Sequence, residues 1–215
     1  MKKYIHVNQH KIRANKKHGT NEPVITIKEG KKNTYCHSVE ILGPSKISYL
    51  NLTQGEATET GSTATWANRE PDEHVFYVGN NGASNDNNLV AYIWAEIPGY
   101  SKFGYYYGNG NVDGPFINCG FKPAIVLYKH ATDTYNWYFN DSSRSDHNSM
   151  GATLTTNLNG AEDTGWGDGN IEFYSNGFKL IRTGVETNSN NAPYIYMAWA
   201  EDPLSGQFGA TSNTR

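Results

Sequence analysis

"LVAYIWAEIPGYSKFGYYYGNGNVDG", residues 89 to 114, decides the fold class. It holds two strand-length runs, 89–97 and 101–108, rich in aromatic and branched side chains. Pro98 ends the first run, because proline has no amide hydrogen to give a ladder. Asn109-Gly110 and Asp113-Gly114 follow the second with residues that build corners. Nothing here has the 3.6-residue spacing of an amphipathic helix.

The same grammar extends outward. Strand-like runs occupy 74–79, 124–130, 136–141, 171–183 (with a Gly corner inside) and 194–201. Loops such as "DSSRSDHNSMG" and "GVETNSNNAP" separate them. Seven or more short strands with such corners predict an all-β, antiparallel β-sandwich or jelly-roll-like fold. Composition agrees, since 13% aromatics and 22 glycines in 215 residues fit a turn-rich β protein and exclude disorder. No window is long and apolar enough for a spanning helix. The opening "MKKYIHVNQHK" carries no apolar run, so no secretory leader is read there. Cys36 and Cys119 read as free thiols.

Charge and aromatic content change near residue 46. Residues 1–46 hold ten Lys or Arg against three Asp or Glu, a balance of +7 that leaves −10 for the rest. The expected organisation is a basic docking segment over 1–46 and a β-sandwich domain over 47–215. Within the first, 24–30 and 34–44 read as a small N-terminal β-hairpin anchor. Lys11, Arg13, Lys16 and Lys17 are the candidate docking residues. No nucleic-acid recognition motif accompanies them, so nucleic acid is not expected; a solvated basic face and docking to an acidic protein surface both stay open.

Trp-Ala-Glu-x-Pro occurs twice, at Trp94–Pro98 and Trp199–Pro203. Alternation puts Trp94 and Glu96 on one strand face, and Trp199 and Glu201 likewise. Three readings stay open: two core tryptophans that close one sheet, a sugar-stacking platform, or the paired carboxylates of a glycosidase. The preferred one is structural, with both tryptophans largely buried and in the same sheet.

Tyr105-Tyr106-Tyr107 is the better candidate for exposed chemistry. Tyr105 and Tyr107 point one way and Tyr106 the other, so at least one ring faces solvent. Tyr beside Asn is the chemistry of adaptable recognition surfaces. The candidate ligand-binding residues are therefore Tyr105, Tyr106, Tyr107, Trp94 and Trp199. The histidines lack zinc-ligand spacing, the Asn/Asp runs lack an EF-hand pattern, and no phosphate loop is present. "DSSRSDH" reads as an aspartate turn with Arg144 reaching a carboxylate. No cofactor, metal or catalytic residue is expected.

Residues 48–209 resemble an uncharacterised domain of tail and virion proteins of tailed, often marine, phages. The resemblance rests on Gly-Tyr-Ser-Lys-Phe-Gly, Gly-Asn-Gly, Gly-Phe-Lys-Pro and the Tyr-Met-Ala-x-Ala-Glu ending. This chain departs from the pattern at Tyr105–Tyr107, where a smaller polar residue is usual, and at Trp94 and Trp199, where Phe is commoner. The basic segment is similar to short marine-phage proteins of unassigned role. The resemblance implies a lectin-like sandwich displayed on a virion after synthesis in the host cytoplasm. Its implied partners are capsid or tail proteins and, in a second reading, a host surface glycan; a homo-oligomer is left open. It implies a non-enzymatic role in decoration or adhesion, with tail-fibre receptor binding as the alternative and polysaccharide depolymerisation a distant third.

Overall fold

The computed structural model describes residues 12–13, 23–28, 34–38, 42–61, 63–70, 75–80, 90–145, 148–164 and 170–202. Among these residues the regular elements are β-strands, apart from helical Leu42, and every strand pairing is antiparallel. The chain forms two compact units, Met1–Glu96 and Ile97–Arg215. The break in charge at residue 46 falls inside the first.

The first unit contains β1 (Ile12–Arg13), β2 (Pro23–Lys28), β3 (Thr34–Ser38), β4 (Lys46–Tyr49), β5 (Ala57–Thr58), β6 (Val75–Phe76) and β7 (Val90–Ala95). β1 pairs with β6, and the other five form a sheet in the order β5-β4-β3-β2-β7. The expected hairpin is there, with β2 and β3 in register from Val24 opposite Ser38 to Lys28 opposite Thr34. Its flanks are β7 and β4, so the basic segment shares one ladder with residues beyond 46. Ile47, Trp66, Phe76 and Val78 make a small buried cluster, with Tyr49 and Ile93 packed against it.

The second unit contains β8 (Ser101–Tyr107), β9 (Phe116–Asn118), β10 (Pro123–His130), β11 (Tyr138–Asp141), β12 (Leu154–Thr155), β13 (Ile171–Tyr174), β14 (Gly177–Leu180) and β15 (Pro193–Ala200). They form two sheets, β12-β11-β10-β15-β8 and β13-β14-β9. Both line one apolar layer. Val126, Tyr128, Tyr138, Tyr196 and Ala198 come from the first sheet, and Ile117, Ile171, Phe173, Phe178 and Leu180 from the second. The Phe178 ring meets Tyr196 and Tyr106 edge-on, at 5.3 and 6.3 Å between centroids. Two antiparallel sheets on a shared apolar layer are consistent with the expected β-sandwich.

A core this rich in tyrosine needs a partner for each buried hydroxyl. The Tyr106 hydroxyl donates to the Thr187 carbonyl at 2.8 Å, and that of Tyr194 to the Val185 carbonyl at 2.6 Å. Tyr128 donates to Asn140 Oδ1 at 3.0 Å. The Asn140 amide in turn donates to the Ala152 carbonyl and to Thr153 Oγ1, at 3.1 and 2.9 Å. Burial raises all three phenols above the usual tyrosine range.

Candidate functional site

Strand alternation sorts the three consecutive tyrosines of β8. Tyr106 turns inward, 6% exposed, stacked on Tyr194 at 5.0 Å with ring planes 9° apart. As a ligand-contact candidate it is corrected: its ring is part of the core and its hydroxyl is already bonded. Tyr105 and Tyr107 turn outward, 48% and 57% exposed. Their rings meet edge to face, 5.5 Å apart at 82°. Opposite them on β15 stand Ile195 and Pro193. The hydrogen bond between the two phenols raises that of Tyr107. The result is a paired aromatic surface on a backbone fixed by a seven-residue ladder.

The loop after β8, residues 108–115, is rigid for reasons visible in its amides. Asn188 is fully buried. Its Oδ1 accepts from the Asn109 amide at 2.8 Å, and its Nδ2 donates to the Asn111 and Arg182 carbonyls at 2.7 and 2.8 Å. Gly110 N donates to the Asn188 carbonyl at 2.9 Å. The Asn109 side chain spans the loop, accepting from Asn111 N at 3.0 Å and donating to the Asp113 carbonyl at 2.8 Å. Gly108 is required at the entry, because a Cβ there would lie 2.2 Å from the Ser189 carbonyl oxygen. Asn-Gly repeats that read as turns are thus a cross-braced turn, locked by a residue from the far side of the sequence.

The two Trp-Ala-Glu copies do not meet as expected. Trp94 lies on β7 in the first unit and Trp199 on β15 in the second, in different sheets. Both are mostly buried without being fully enclosed. Trp94 stacks on exposed Tyr92 at 6.2 Å, and Trp199 meets Phe103 edge-on at 5.6 Å. The motif encodes an aromatic strand that ends at a corner, and each copy does so in its own sheet. Glu201 is ion-paired with Lys122.

Among the docking candidates, Arg13 lies in β1 opposite Val75. Lys11, Lys16 and Lys17 lie outside the described residues. Arg144 reaches both Asp141 and Glu162, as its loop composition suggests. Cys119 is a buried free thiol. Among the described residues, no group of three or more His, Cys, Asp or Glu is placed to hold a metal ion.

The sequence reading missed a second exposed aromatic pair, Phe116 and Tyr174, whose rings meet at 5.8 Å and 82°. Phe116 opens β9, a three-residue strand too short to show periodicity. The signal available was an aromatic residue in each of two turn-bounded segments, and nothing local pairs them.

A family model described as a domain of unknown function (DUF7483) matches residues 12–203, a span that begins inside the basic segment. No curated protein and no solved structure matches the chain.

Proposed function

We propose that this chain, which belongs to the DUF7483 family, is a non-enzymatic structural protein of a tailed-phage virion. In this reading the basic segment docks to capsid or tail proteins, and the β-sandwich is a surface decoration and adhesion module. One observation carries the adhesion part: the exposed Tyr105–Tyr107 pair, held on a rigid edge of the sheet beside a cross-braced loop. Rigid aromatic side chains offer large contact area at low entropic cost, which suits binding. The docking part is supported by the +7 balance of residues 1–46 against −10 for the remainder. The virion setting is supported by the resemblance over residues 48–209.

Two measurements test the reading. Imaging of particles with this chain labelled is expected to find it on the virion surface. Particles lacking the chain are expected to recapture the full-length protein but not a variant with Lys11, Arg13, Lys16 and Lys17 all changed to Ser. Equal recapture of both removes the docking role, and unlabelled particles remove the virion assignment. A second reading, receptor binding to a host glycan, is favoured by the same tyrosine pair. It predicts that Tyr105→Ala with Tyr107→Ala slows adsorption of the particle at least tenfold.

A further inference from the structure

The outer face of the three-stranded sheet carries a second surface. Ile117, Phe173, Phe178 and Leu180 point into the core, so their sequence neighbours point out. The register then sets Asn118, Gly177 and Tyr174 in one row across the sheet, and Phe116, Lys179 and Glu172 in the next. Phe116 and Tyr174 stand 46% and 38% exposed on the two outer strands. Their rings meet over the central strand, where Gly177 contributes no side chain. A Cβ at Gly177 would lie 2.0 Å from the Ile117 carbonyl oxygen, so close strand approach keeps that position bare. Around the rings, Lys179 is ion-paired with Asp113, and the Tyr174 hydroxyl donates to Glu172.

We propose that Phe116 and Tyr174 form a saccharide-binding platform for neutral hexopyranose or N-acetylhexosamine oligosaccharides, with Asn118, Glu172 and Lys179 as its polar rim. A pyranose offers C–H bonds to an aromatic face and hydroxyls at its edge, and this face supplies rings with donors and acceptors beside them. Size argues against a protein partner. Two half-exposed rings present roughly 200 Å² of surface, against about 800 Å² per partner for a stable protein interface. Charge argues against an anionic polymer, because Glu172 and Asp113 outnumber Lys179 at the rim. The inference rests on the adhesion reading above, but it assigns a different surface.

The test uses the full-length chain with chitohexaose, cellohexaose and mannohexaose, by titration calorimetry and saturation-transfer NMR. At least one is expected to bind, with sugar C–H protons in contact with phenylalanine and tyrosine ring protons. Phe116→Ala and Tyr174→Ala are each expected to weaken that binding at least tenfold, while Leu158→Ala, at an exposed apolar residue in the turn after β12, leaves it unchanged. Both rings are exposed, so circular dichroism and melting should match the parent. Should a variant misfold, the ring-proton contacts of the unmodified chain still decide the matter. Binding to none of the three overturns the proposal. Loss only in the Tyr105→Ala, Tyr107→Ala double variant overturns it too, yet leaves glycan adhesion through β8 standing. Preference for a polyuronate that depends on Lys179, or a change in sedimentation without a change in sugar binding, would equally sink it.

Discussion

Asn188 shows how one side chain sets the shape of a loop. Its amide bonds to Asn109, Asn111 and Arg182 while fully buried. Replacing it with Ala removes those three bonds, each worth about 0.5–1.5 kcal/mol net. Asn188→Ala is expected to lower stability by about 3 kcal/mol in urea denaturation and to speed hydrogen exchange at Asn109 and Gly110. Gly108→Ala acts on the same loop by a different route, forcing a methyl group against the Ser189 carbonyl. Such overpacking costs about 1–3 kcal/mol, read as a lower urea midpoint with an unchanged slope. The composition of 185–192 marks a loop. The bracing was not legible, because its partner loop lies 79 residues earlier in the chain.

At the scale of the element, alternation sorts the side chains of β8 into one buried and two exposed tyrosines. Tyr106→Ala is expected to destabilise the protein by about 3–5 kcal/mol, the usual cost of deleting a buried aromatic ring. Tyr105→Ala and Tyr107→Ala should each stay within about 0.5 kcal/mol, as exposed substitutions do. Equal losses at all three positions, measured by chemical denaturation, would contradict the assigned faces. Alternation was readable because it is a local property of the strand. The Trp-Ala-Glu copies mark the limit of such reading. They correctly signal two strands ending at corners, but sheet membership depends on partners: Val24 stands opposite Trp94, and Ser101 and Ile125 flank Trp199. The short strands β4, β5, β9 and β12 passed unread, since two to four residues carry too little pattern.

The whole molecule should respond to alkaline pH in two opposed ways. Burial lowers the Lys129 ammonium from 10.5 to about 8, although its Nζ donates to the Tyr135 carbonyl at 2.6 Å. The unfolded chain therefore binds the extra proton between those values, and stability rises with pH there. The gain is on the order of 2 kcal/mol from pH 8 to 10. Burial also raises the Tyr138 and Tyr194 phenols from 10.0 to about 12, with Tyr106 and Tyr128 raised as well. A phenol shifted this way contributes stability below 10 that is lost as pH climbs through its folded value. Denaturation midpoints are expected to peak between pH 9 and 10 and fall steeply above 10. Lys129→Met should flatten the rise and leave the fall.

By itself the sequence determined that this is an antiparallel β protein, where its longer strands run and which way Tyr105–Tyr107 point. Those features depend on residues within a few positions of one another, through strand alternation, missing proline amides and turn chemistry. Only the tertiary structure decided that the compact units meet at residues 96 and 97, that Trp94 and Trp199 part into separate sheets, and that Phe116 finds Tyr174. Each of these is a pairing between segments far apart in the chain. Such pairings are fixed by which faces can be buried together, and a local pattern does not carry that information.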